Sequence, residues 1–357
     1  MSTSMIDAAK AEAFAERLLG TLNAGAIAIM TSVGHRTGLF DTLATLPPAT
    51  STQIAHAAGL NERYVREWLA AMTTGRIVAY EPTDQTYALP PEHAAFLTRA
   101  ATPNNLAVSA QFISLVGGVE DGIVAAFRNG GGLHYEQYGR FHDVMAEDSA
   151  QTIVSALLDT ILPLVPWLIA MLHRGIDVLD LGCGQGRALI LLAQTFPTSR
   201  FTGYDAAADV IATAQTEIKQ RGLKNIAFTT QDAARLDEPN RYDLICTFDA
   251  IHDQAYPRQV LRNIGRALRP GGVYLMQDIR ASSQVHHNMD HPVAPFLYTI
   301  STMHCMSVSL AAGGDGLGTM WGEELALAML AEAGFTDIAV KQLPHDFMNN
   351  YYIARKV

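Results

Sequence analysis

The chain has 357 residues, of which 49% are hydrophobic and 17% charged, and this length exceeds the usual size of one hydrophobic core, so it predicts two domains. The formal net charge of -10 argues against broad binding to nucleic acid or to anionic membranes, which depends on clustered Lys and Arg. Three cysteines, none at metal-ligand spacing, predict a reducing, cytoplasmic setting.

The first 100 residues predict a mainly α-helical domain with one short hairpin. The segment 1–20 is charged and amphipathic, which is not the pattern of a secretory signal. Thr50 and Gln53 have the spacing of a capping box, and Gly59 ends the helix that they begin. Asn61 is the predicted cap of the next helix.

This second helix ends at Gly75, and the pattern after it completes a known motif. Its predicted buried face consists of Val65, Trp68, Leu69 and Met72. Residues 76–80 and 86–90 flank a turn as two short strands. A helix, a tight turn, a second helix and a hairpin together predict a winged helix.

Residues 101–172 predict connecting helices with an active-site loop at 128–141. Three consecutive glycines in this loop precede aromatic side chains with polar tips, and a flexible loop of this kind can cover a site. Tyr135 and Tyr138 are therefore candidate substrate contacts. The alternative is that these aromatic side chains only pack at the domain junction.

From residue 173 to residue 357 strands alternate with helices, which predicts an α/β domain with a parallel sheet covered on both faces. The predicted strands are 177–181, 200–204, 226–230, 242–248 and 272–278. Two further segments, 335–342 and 350–356, are close enough in sequence to form a closing antiparallel hairpin.

The first of these strands runs into a glycine-rich turn, "VLDLGCGQG" at 178–186. A dinucleotide fingerprint counted from Gly182 requires a third glycine at position 187, where Arg187 stands, and the lysine of a P-loop is absent as well. A plain tight turn is the alternative to a cofactor site.

Two aspartates at the ends of the next strands favour the cofactor site. Asp205 follows the second strand, where a carboxylate can accept hydrogen bonds from both hydroxyls of a ribose. Asp232 follows the third strand, where it can accept from the exocyclic amine of an adenine. Each could singly be a solvated strand end, but together with Asp180 they follow consecutive strands.

The segments "VLDLGCGQG", "GYD", "QDA" and "ALRPGGVYLM" resemble class I S-adenosylmethionine-dependent methyltransferases. The resemblance implies a Rossmann-like, seven-stranded sheet with a reversed final hairpin, S-adenosylmethionine as the cofactor, and Asp180 as an acid favoured by its ammonium group. The cofactor-binding residues that we expect on this basis are Asp180, Gly182, Cys183, Gly184, Gly186, Asp205, Ala206, Asp232, Ala233 and Phe248.

The two-domain order adds to this resemblance. A winged helix before such a domain is similar to small-molecule O-methyltransferases, in which it serves for dimerisation. "GLNERYVREWL" and "YALPPEHAAFL" also resemble a bacterial group described both as methyltransferases and as transcriptional regulators. Methylation of a hydroxyl on a largely apolar small molecule is the first functional hypothesis, and a DNA-binding regulator that senses a ligand with the methyltransferase fold is the alternative.

The composition of residues 1–100 favours a dimer over a DNA reader. Seven Lys and Arg stand against nine Asp and Glu in this region, whereas a DNA reader usually carries a basic surplus. Residues 20–34 have no charged side chain and are rich in small residues, which suits close packing of helices between subunits. We therefore expect a homodimer formed mainly through the N-terminal half.

The resemblance also implies catalytic residues after the fourth strand. His252 and Asp253 match a histidine–aspartate pair whose histidine is the general base, and Asp278 matches an acid beside that histidine. A histidine that only caps the following helix is the alternative. Gln254 stands where the family has tryptophan, and a second flanking acid has no clear counterpart, so methylation of nitrogen or carbon stays open.

Two further segments carry histidines or a long uncharged run. Residues 284–292 hold three histidines and an aspartate, but their spacing fits no common zinc pattern, and we predict no metal.

Residues 292–314 are uncharged and long enough for a membrane span, yet their polar residues and prolines favour a buried helix. This helix is either one wall of an acceptor pocket or part of a plain core. Its candidate substrate contacts are Tyr298, Met303, His304 and Met306.

Overall fold

The computed structural model describes residues 6–356, so residues 1–5 of the N-terminal segment lie outside the described residues. The chain separates into two compact units, one that ends at Gly117 and one that begins at Gly118. This division differs from the predicted boundaries at residues 100 and 172. The helix Leu106–Gly117 lies in the first unit because it packs along the long helix Ala8–Thr37.

The first unit contains six α-helices and a two-stranded hairpin within the described residues. The helices are α1 (Ala8–Thr37), α2 (Leu39–Thr45), α3 (Ser51–Ala58), α4 (Glu62–Thr74), α5 (Pro91–Leu97) and α6 (Leu106–Gly117). The antiparallel strands are β1 (Ala79–Glu81) and β2 (Thr86–Ala88). The predicted winged helix is confirmed, including the capping box of Thr50 and Gln53 and the cap at Asn61.

The core of the first unit forms where α4 packs beneath α1 and α2. All four residues of the predicted buried face of α4 are buried. Trp68 Nε1 donates a hydrogen bond to the Met30 carbonyl oxygen (2.8 Å), and its ring meets Phe40 edge to face at 5.2 Å between centroids. A Cβ atom on Gly34 would lie 2.5 Å from Trp68, so this crossing of helices requires glycine.

The second unit is built on a seven-stranded sheet with the order β5-β4-β3-β6-β7-β9-β8. Its strands are β3 (Asp177–Leu181), β4 (Arg200–Asp205), β5 (Ile226–Thr230), β6 (Tyr242–Phe248), β7 (Leu268–Ile279), β8 (Asp337–Leu343) and β9 (Asp346–Arg355). The first five are parallel, and β9 pairs antiparallel with both β7 and β8. The predicted fold class and the reversed hairpin are confirmed.

Helices cover both faces of this sheet, which explains why its central strands are almost continuously apolar. The α-helices that the structure describes in the second unit are α7 (Glu120–Asn129), α8 (Phe141–Ser149), α9 (Leu168–Arg174), α10 (Arg187–Thr195), α11 (Ala208–Gln220), α12 (Pro257–Ala267), α13 (Ala294–Ile300), α14 (Met306–Ala311) and α15 (Gly322–Glu332). Because β3 lies between β4 and β6, the order of strands reverses beside β3, where open α/β sheets bind their ligands.

One helix within residues 6–356, α1, is long and apolar enough to cross a membrane, and the number rises to three if each of two bent helix pairs counts as one span. The uncharged run at 292–314 is not among them. It forms α13 and α14, joined by a π-helical turn at Ser301–Cys305. Its buried residues are Ala294, Leu297, Ile300, Ser301, His304, Cys305, Ser307, Val308 and Ser309.

Candidate functional site

A cavity of about 200 Å³ opens at the carboxyl ends of β3, β4 and β6 in the second unit. The glycine-rich turn after β3 forms its floor, and α8 contributes its roof. Nine of the ten expected cofactor-binding residues line this cavity. They are Asp180, Gly182, Cys183, Gly184, Gly186, Asp205, Ala206, Ala233 and Phe248.

The glycine-rich turn needs glycine for both backbone and packing reasons. Gly182, Gly184 and Gly186 all have positive φ, at 78°, 52° and 72°. A Cβ atom on Gly186 would lie 2.3 Å from the Phe228 ring, and one on Gly182 would lie 2.7 Å from Cβ of Ala250. The turn therefore leaves its backbone exposed to a ligand while it packs directly on the segment that follows β6.

Asp205 holds the same turn in place. Its Oδ2 accepts a hydrogen bond from Gly184 N (2.9 Å), and its Oδ1 accepts one from Ala207 N (2.9 Å). A carboxylate oxygen can accept more than one hydrogen bond, so these two bonds orient the group and leave lone pairs for ribose hydroxyls.

Asp180 lies deeper in the cavity and is 3% exposed. Its Oδ1 is buried and accepts no hydrogen bond, and burial, together with the charge of Asp205, raises the pKa of Asp180 to about 7. A buried carboxylate without a hydrogen-bond donor fits a ligand with a positive charge, such as the ammonium group expected there.

Asp232 does not line the cavity and differs in this from the other expected cofactor residues. Its Oδ1 accepts a hydrogen bond from Ala234 N (2.8 Å), so it caps the 3-10 turn Ala233–Arg235, and its side chain is half exposed beside Arg235. Ala233, the next residue, lines the cavity in its place.

His252 and Asp278 form a buried pair beside the cavity. They are 3% and 0% exposed, and His252 Nδ1 lies 2.8 Å from Asp278 Oδ1. The carboxylate can only accept, so Nδ1 carries a proton, and Nε2 is the nitrogen that can take up a second one. Asp278 Oδ1 also accepts from Trp321 Nε1 (3.0 Å) and Ile279 N (2.8 Å), so it is held by three donors.

The environment of His252 contains opposing electrostatic effects. Burial lowers the pKa of the imidazole, but the charge of Asp278 and hydrogen bonds with Asp278 and Cys305 outweigh it, and the pKa lies well above its ordinary value. The neutral ring is therefore a strong base, and it is available as one only at a pH above this raised pKa.

Asp249 is a second carboxylate beside this histidine, with its Oδ1 3.7 Å from His252 Nδ1. Burial raises the pKa of Asp249. Asp249, His252 and Asp278 hold potential metal-ligand atoms within 4.8 Å of one another, the one such group among residues 6–356. Because Nδ1 already donates to Asp278, the geometry is that of a hydrogen-bonded pair, and the expectation that no metal binds stays a prediction.

Asp253 lines the cavity and accepts a hydrogen bond from the Tyr135 hydroxyl. Burial and the charge of Asp253 raise the pKa of Tyr135, so the phenol keeps its proton and donates. The Tyr135 ring stacks on His142 of α8 at 5.3 Å between centroids. Tyr135, the loop residue expected to contact substrate, thus closes one side of the cavity.

The other expected substrate contacts lie outside the lining of this cavity. Tyr138 donates to the Met303 carbonyl oxygen (2.7 Å), and Tyr298 accepts from Asn288 Nδ2 (3.1 Å). His304 stacks on Phe141 with 3.5 Å between ring centroids. Met306 begins α14. Burial lowers the pKa of His304 well below its ordinary value, so its ring is neutral within an aromatic cluster.

Three features of the site are missed by the sequence patterns. Asp249 comes directly after β6, and Asp205 is the last residue of β4, so the rule that points to acids at strand ends could have found Asp249 as well. Trp321 reaches Asp278 from the segment after α14, and no spacing in the sequence signals that contact. The roof residues His142, Met145, Ala146 and Ser149 lie on α8, whose position over the cavity is a tertiary feature.

Replacing Asp180 with asparagine should stabilise the protein without cofactor by about 1–3 kcal/mol at pH 8, because it removes a buried charge. The pKa of about 7 in the folded protein exceeds the ordinary 3.8, so the contribution of Asp180 to the wild-type free energy of unfolding falls as the pH rises from 4 to 7. Urea unfolding at pH 4 and pH 8 measures both effects.

The exposed Asp237, paired with Arg266 at 2.7 Å, offers a matched control as Asp237→Asn. An Asp180→Asn variant whose gain is the same at both pH values would contradict the buried-charge explanation, as would an Asp237→Asn variant with the same pH-dependent gain.

Two protein-family models match the chain in its two halves. Residues 25–99 match an Rv2258c-like winged HTH domain. Residues 172–329 match a methyltransferase domain.

Curated relatives are similar over less than half of the chain. A malonyl-[acyl-carrier protein] O-methyltransferase of Bacillus cereus is 29% identical over 167 residues, which cover 44% of this chain and 55% of that protein. A fatty-acid O-methyltransferase of Mycolicibacterium smegmatis is 33% identical over 110 residues, 30% of this chain and 38% of that protein. The chain thus spans about half or less of the length of these relatives.

Solved structures are similar over both units. Human N-acetylserotonin methyltransferase, in complex with S-adenosylmethionine, has a TM-score of 0.66 and 19% identity and covers 100% of this chain and 99% of its own. The mitomycin 7-O-methyltransferase MmcR has a TM-score of 0.67 and 19% identity, with coverage of 98% and 100%. At this identity the likeness shows a shared fold.

Proposed function

On the premise that the chain joins a winged helix-turn-helix domain to a methyltransferase domain, we propose that it transfers a methyl group from S-adenosylmethionine to a hydroxyl of a largely apolar small molecule. The observation that carries the proposal is the buried His252–Asp278 pair, 2.8 Å apart, beside a cavity lined by the cofactor motif. We propose residues 1–100 as the dimerisation domain, 101–172 as the connecting segment and 173–357 as the cofactor-binding domain.

The cavity residues fit the proposed cofactor by charge and by backbone geometry. Asp205 would accept from its ribose, the glycine-rich turn would approach its amino-acid tail, and the unpartnered Oδ1 of Asp180 would face its ammonium group. When bound, S-adenosylmethionine supplies an electrophilic methyl group on a positively charged sulfur. Every other part of the reaction depends on residues of the chain.

His252 would take the proton of the acceptor hydroxyl on Nε2 as the oxygen forms its bond to the methyl group. The pair of electrons from the broken bond stays on sulfur, and the imidazolium that forms is stabilised by Asp278, which accepts from Nδ1. Burial of this pair excludes water from the base.

The names of the relatives indicate the acceptor class to test. Two curated relatives are a malonyl-[acyl-carrier protein] O-methyltransferase and a fatty-acid O-methyltransferase, and a structural neighbour is a mitomycin 7-O-methyltransferase. The apolar side chains of Phe141, Met145 and Phe248, which line the cavity, support an apolar acceptor. A screen with methyl-labelled cofactor over hydroxylated aromatics, polyketides and lipids tests this, and label in a hydroxyl-derived ether is the expected result. Label on nitrogen or carbon, or in no product, would contradict it.

Helix α4, the second helix of the winged-helix motif, supports an enzyme over a DNA-binding regulator. Both arginines of its exposed face are paired with glutamates of the same helix, Arg63 with Glu67 at 2.5 Å and Arg66 with Glu62 at 3.3 Å. Phosphate contacts would have to compete with these pairs. Fluorescence anisotropy with DNA from upstream of the gene should show no sequence-dependent binding at about 150 mM salt.

We expect a homodimer, because α1 exposes a row of large apolar side chains at helical spacing. Phe14, Leu18 and Leu22 are 55%, 49% and 65% exposed. Light scattering at micromolar concentration should report twice 38.6 kDa. Replacing the three side chains together with serine should give the monomer mass while the circular dichroism spectrum is kept, and a dimer that survives this change would contradict the assignment.

We place the protein in the cytoplasm. Its three cysteines, Cys183, Cys246 and Cys305, are free thiols, which supports a reducing compartment.

A further inference from the structure

Asp249 is a carboxylate of the cavity that the proposed reaction does not use. It follows β6 with a φ of 55°, a conformation that Asp and Asn tolerate best after glycine, and its backbone N–H donates to the Gln277 carbonyl oxygen (3.0 Å). Its side chain lines the cavity, and its Oδ1 is buried without a hydrogen bond. A buried acceptor in this state is costly unless a ligand compensates it.

The strand order places Asp249 on the far side of the glycine-rich turn from the ribose acid. Asp205 ends β4, on one side of β3, whereas Asp249 follows β6, on the other. The segment after β6 touches the turn itself, since a Cβ atom on Gly182 would lie 2.7 Å from Cβ of Ala250. A nucleoside held at Asp205 would therefore have Asp249 on the far side of the turn, where its tail would extend.

The charges of the cavity lining are strongly unbalanced. Four aspartates line it, and Arg187 is the one Lys or Arg in the lining. The guanidinium of Arg187 donates to the Ala146 carbonyl oxygen (2.9 Å), so it is held at the roof. Two of the four aspartates already accept hydrogen bonds from the protein, Asp205 from backbone N–H groups and Asp253 from Tyr135.

Asp180 and Asp249 are thus the carboxylates of the lining that each retain a buried oxygen without a hydrogen bond. The ammonium group of an amino-acid tail can compensate one of them. His252 Nδ1 lies 3.7 Å from Asp249 Oδ1, but it donates its proton to Asp278, so one imidazole ring faces two carboxylates and leaves one negative charge uncompensated. The second carboxylate of the lining therefore fits a second positive charge, and in the proposed cofactor that charge is the sulfonium.

We propose that Asp249 supplies the negative charge opposite the sulfonium, so that the cavity selects the charged methyl donor over the neutral thioether product. This rests on the proposed function, which it extends to the exchange of the cofactor. When the methyl group leaves, sulfur keeps the bonding electron pair and loses its charge, and the attraction to Asp249 is lost with it. Product release is then favoured by the same residue that favours donor binding.

Calorimetry with three ligands tests the proposal without any acceptor. S-adenosylmethionine and sinefungin, which has a protonated amine in place of the sulfonium, are compared with S-adenosylhomocysteine at pH 8. The wild-type protein should bind the two charged ligands about ten-fold or more tightly than the neutral one, since one partly screened ion pair is enough for such a ratio. This comparison of Kd values is made on the wild-type protein alone.

Asp249→Asn should remove most of the preference. Asparagine keeps the shape and tolerates positive φ, as Asn240 does at 53° in this chain. We expect the Kd of both charged ligands to rise about ten-fold and that of S-adenosylhomocysteine to change less than about three-fold. The exposed Asp237→Asn, with the same change in net charge, should leave all three unchanged.

A wild-type protein that binds S-adenosylhomocysteine as tightly as the charged ligands would overturn the proposal, as would an Asp249→Asn variant that weakens all three equally. A wild-type protein that binds none of the three would instead overturn the cofactor assignment on which the proposal rests.

Discussion

Replacing His252 with glutamine should lower methyl transfer by about 10²-fold or more, while the affinity for S-adenosylhomocysteine is unchanged. Glutamine keeps a polar side chain of similar reach but cannot accept the proton of an acceptor hydroxyl at neutral pH. The His252 ring lies outside the cavity lining, whereas the cofactor motif lies within it. The substitution should therefore lower the rate of methyl transfer without changing the affinity for S-adenosylhomocysteine. Single-turnover rates with labelled cofactor and calorimetry on the same samples provide the comparison.

The pH profile distinguishes a base from a helix cap. Because the pKa of His252 is raised above its ordinary value, wild-type activity should fall as the pH drops through that raised pKa, and the variant should lose this dependence. Asp278→Asn should weaken the base less severely, since the amide oxygen can still accept from Nδ1. His173→Gln, at the exposed end of α9, is the matched control. A His252→Gln variant with near-wild-type turnover would mean that proximity of the two substrates alone accelerates methyl transfer.

Replacing Asp205 with alanine should weaken binding of S-adenosylmethionine and S-adenosylhomocysteine by about 10- to 100-fold. Two losses add in this variant. The ribose loses a charged acceptor, and Gly184 N and Ala207 N lose the partners that hold the glycine-rich turn at 2.9 Å. Calorimetry measures the effect, and a thermal melt without ligand reports any loosening of the turn.

A graded series separates the two contributions. Asp205→Asn should lose less than Asp205→Ala, because its amide oxygen can still accept one of the two backbone bonds. The exposed Asp237→Ala should leave both affinities unchanged. Equal affinities for the wild type and Asp205→Ala would show that the ribose binds elsewhere in the cavity.

Local patterns in the sequence predict the elements of this protein closely. Asn61, Thr50 and Gln53 cap helices where their spacing indicates, and β3, β5 and β6 have the predicted bounds. The β7 strand is longer than predicted because the turn "LRPGG" continues the strand pairing with β6 from Leu268. These features depend on neighbours in the chain, on backbone capping and on apolar runs, and the sequence contains all three.

The cofactor side of the candidate site follows from the same kind of rule. Acids at the carboxyl ends of parallel strands must meet at one edge of the sheet, and this places Asp180 and Asp205 at one cavity. The rule does not determine where a side chain turns after the strand ends. Asp232 turns to cap its own helical turn, whereas Asp249, which was not singled out, faces the cavity.

The sequence by itself thus determined the fold class, the two-domain order and the glycine-rich turn, because each depends on residues close together in the chain. Only the tertiary structure decided that Trp321 and His252 meet on one oxygen of Asp278, and that Tyr135 reaches Asp253 across more than a hundred residues. Such contacts arise from the packing of distant segments, and the burial that raises the pKa of Asp180 arises in the same way. Charge and solvation at the site are therefore properties of the assembled fold.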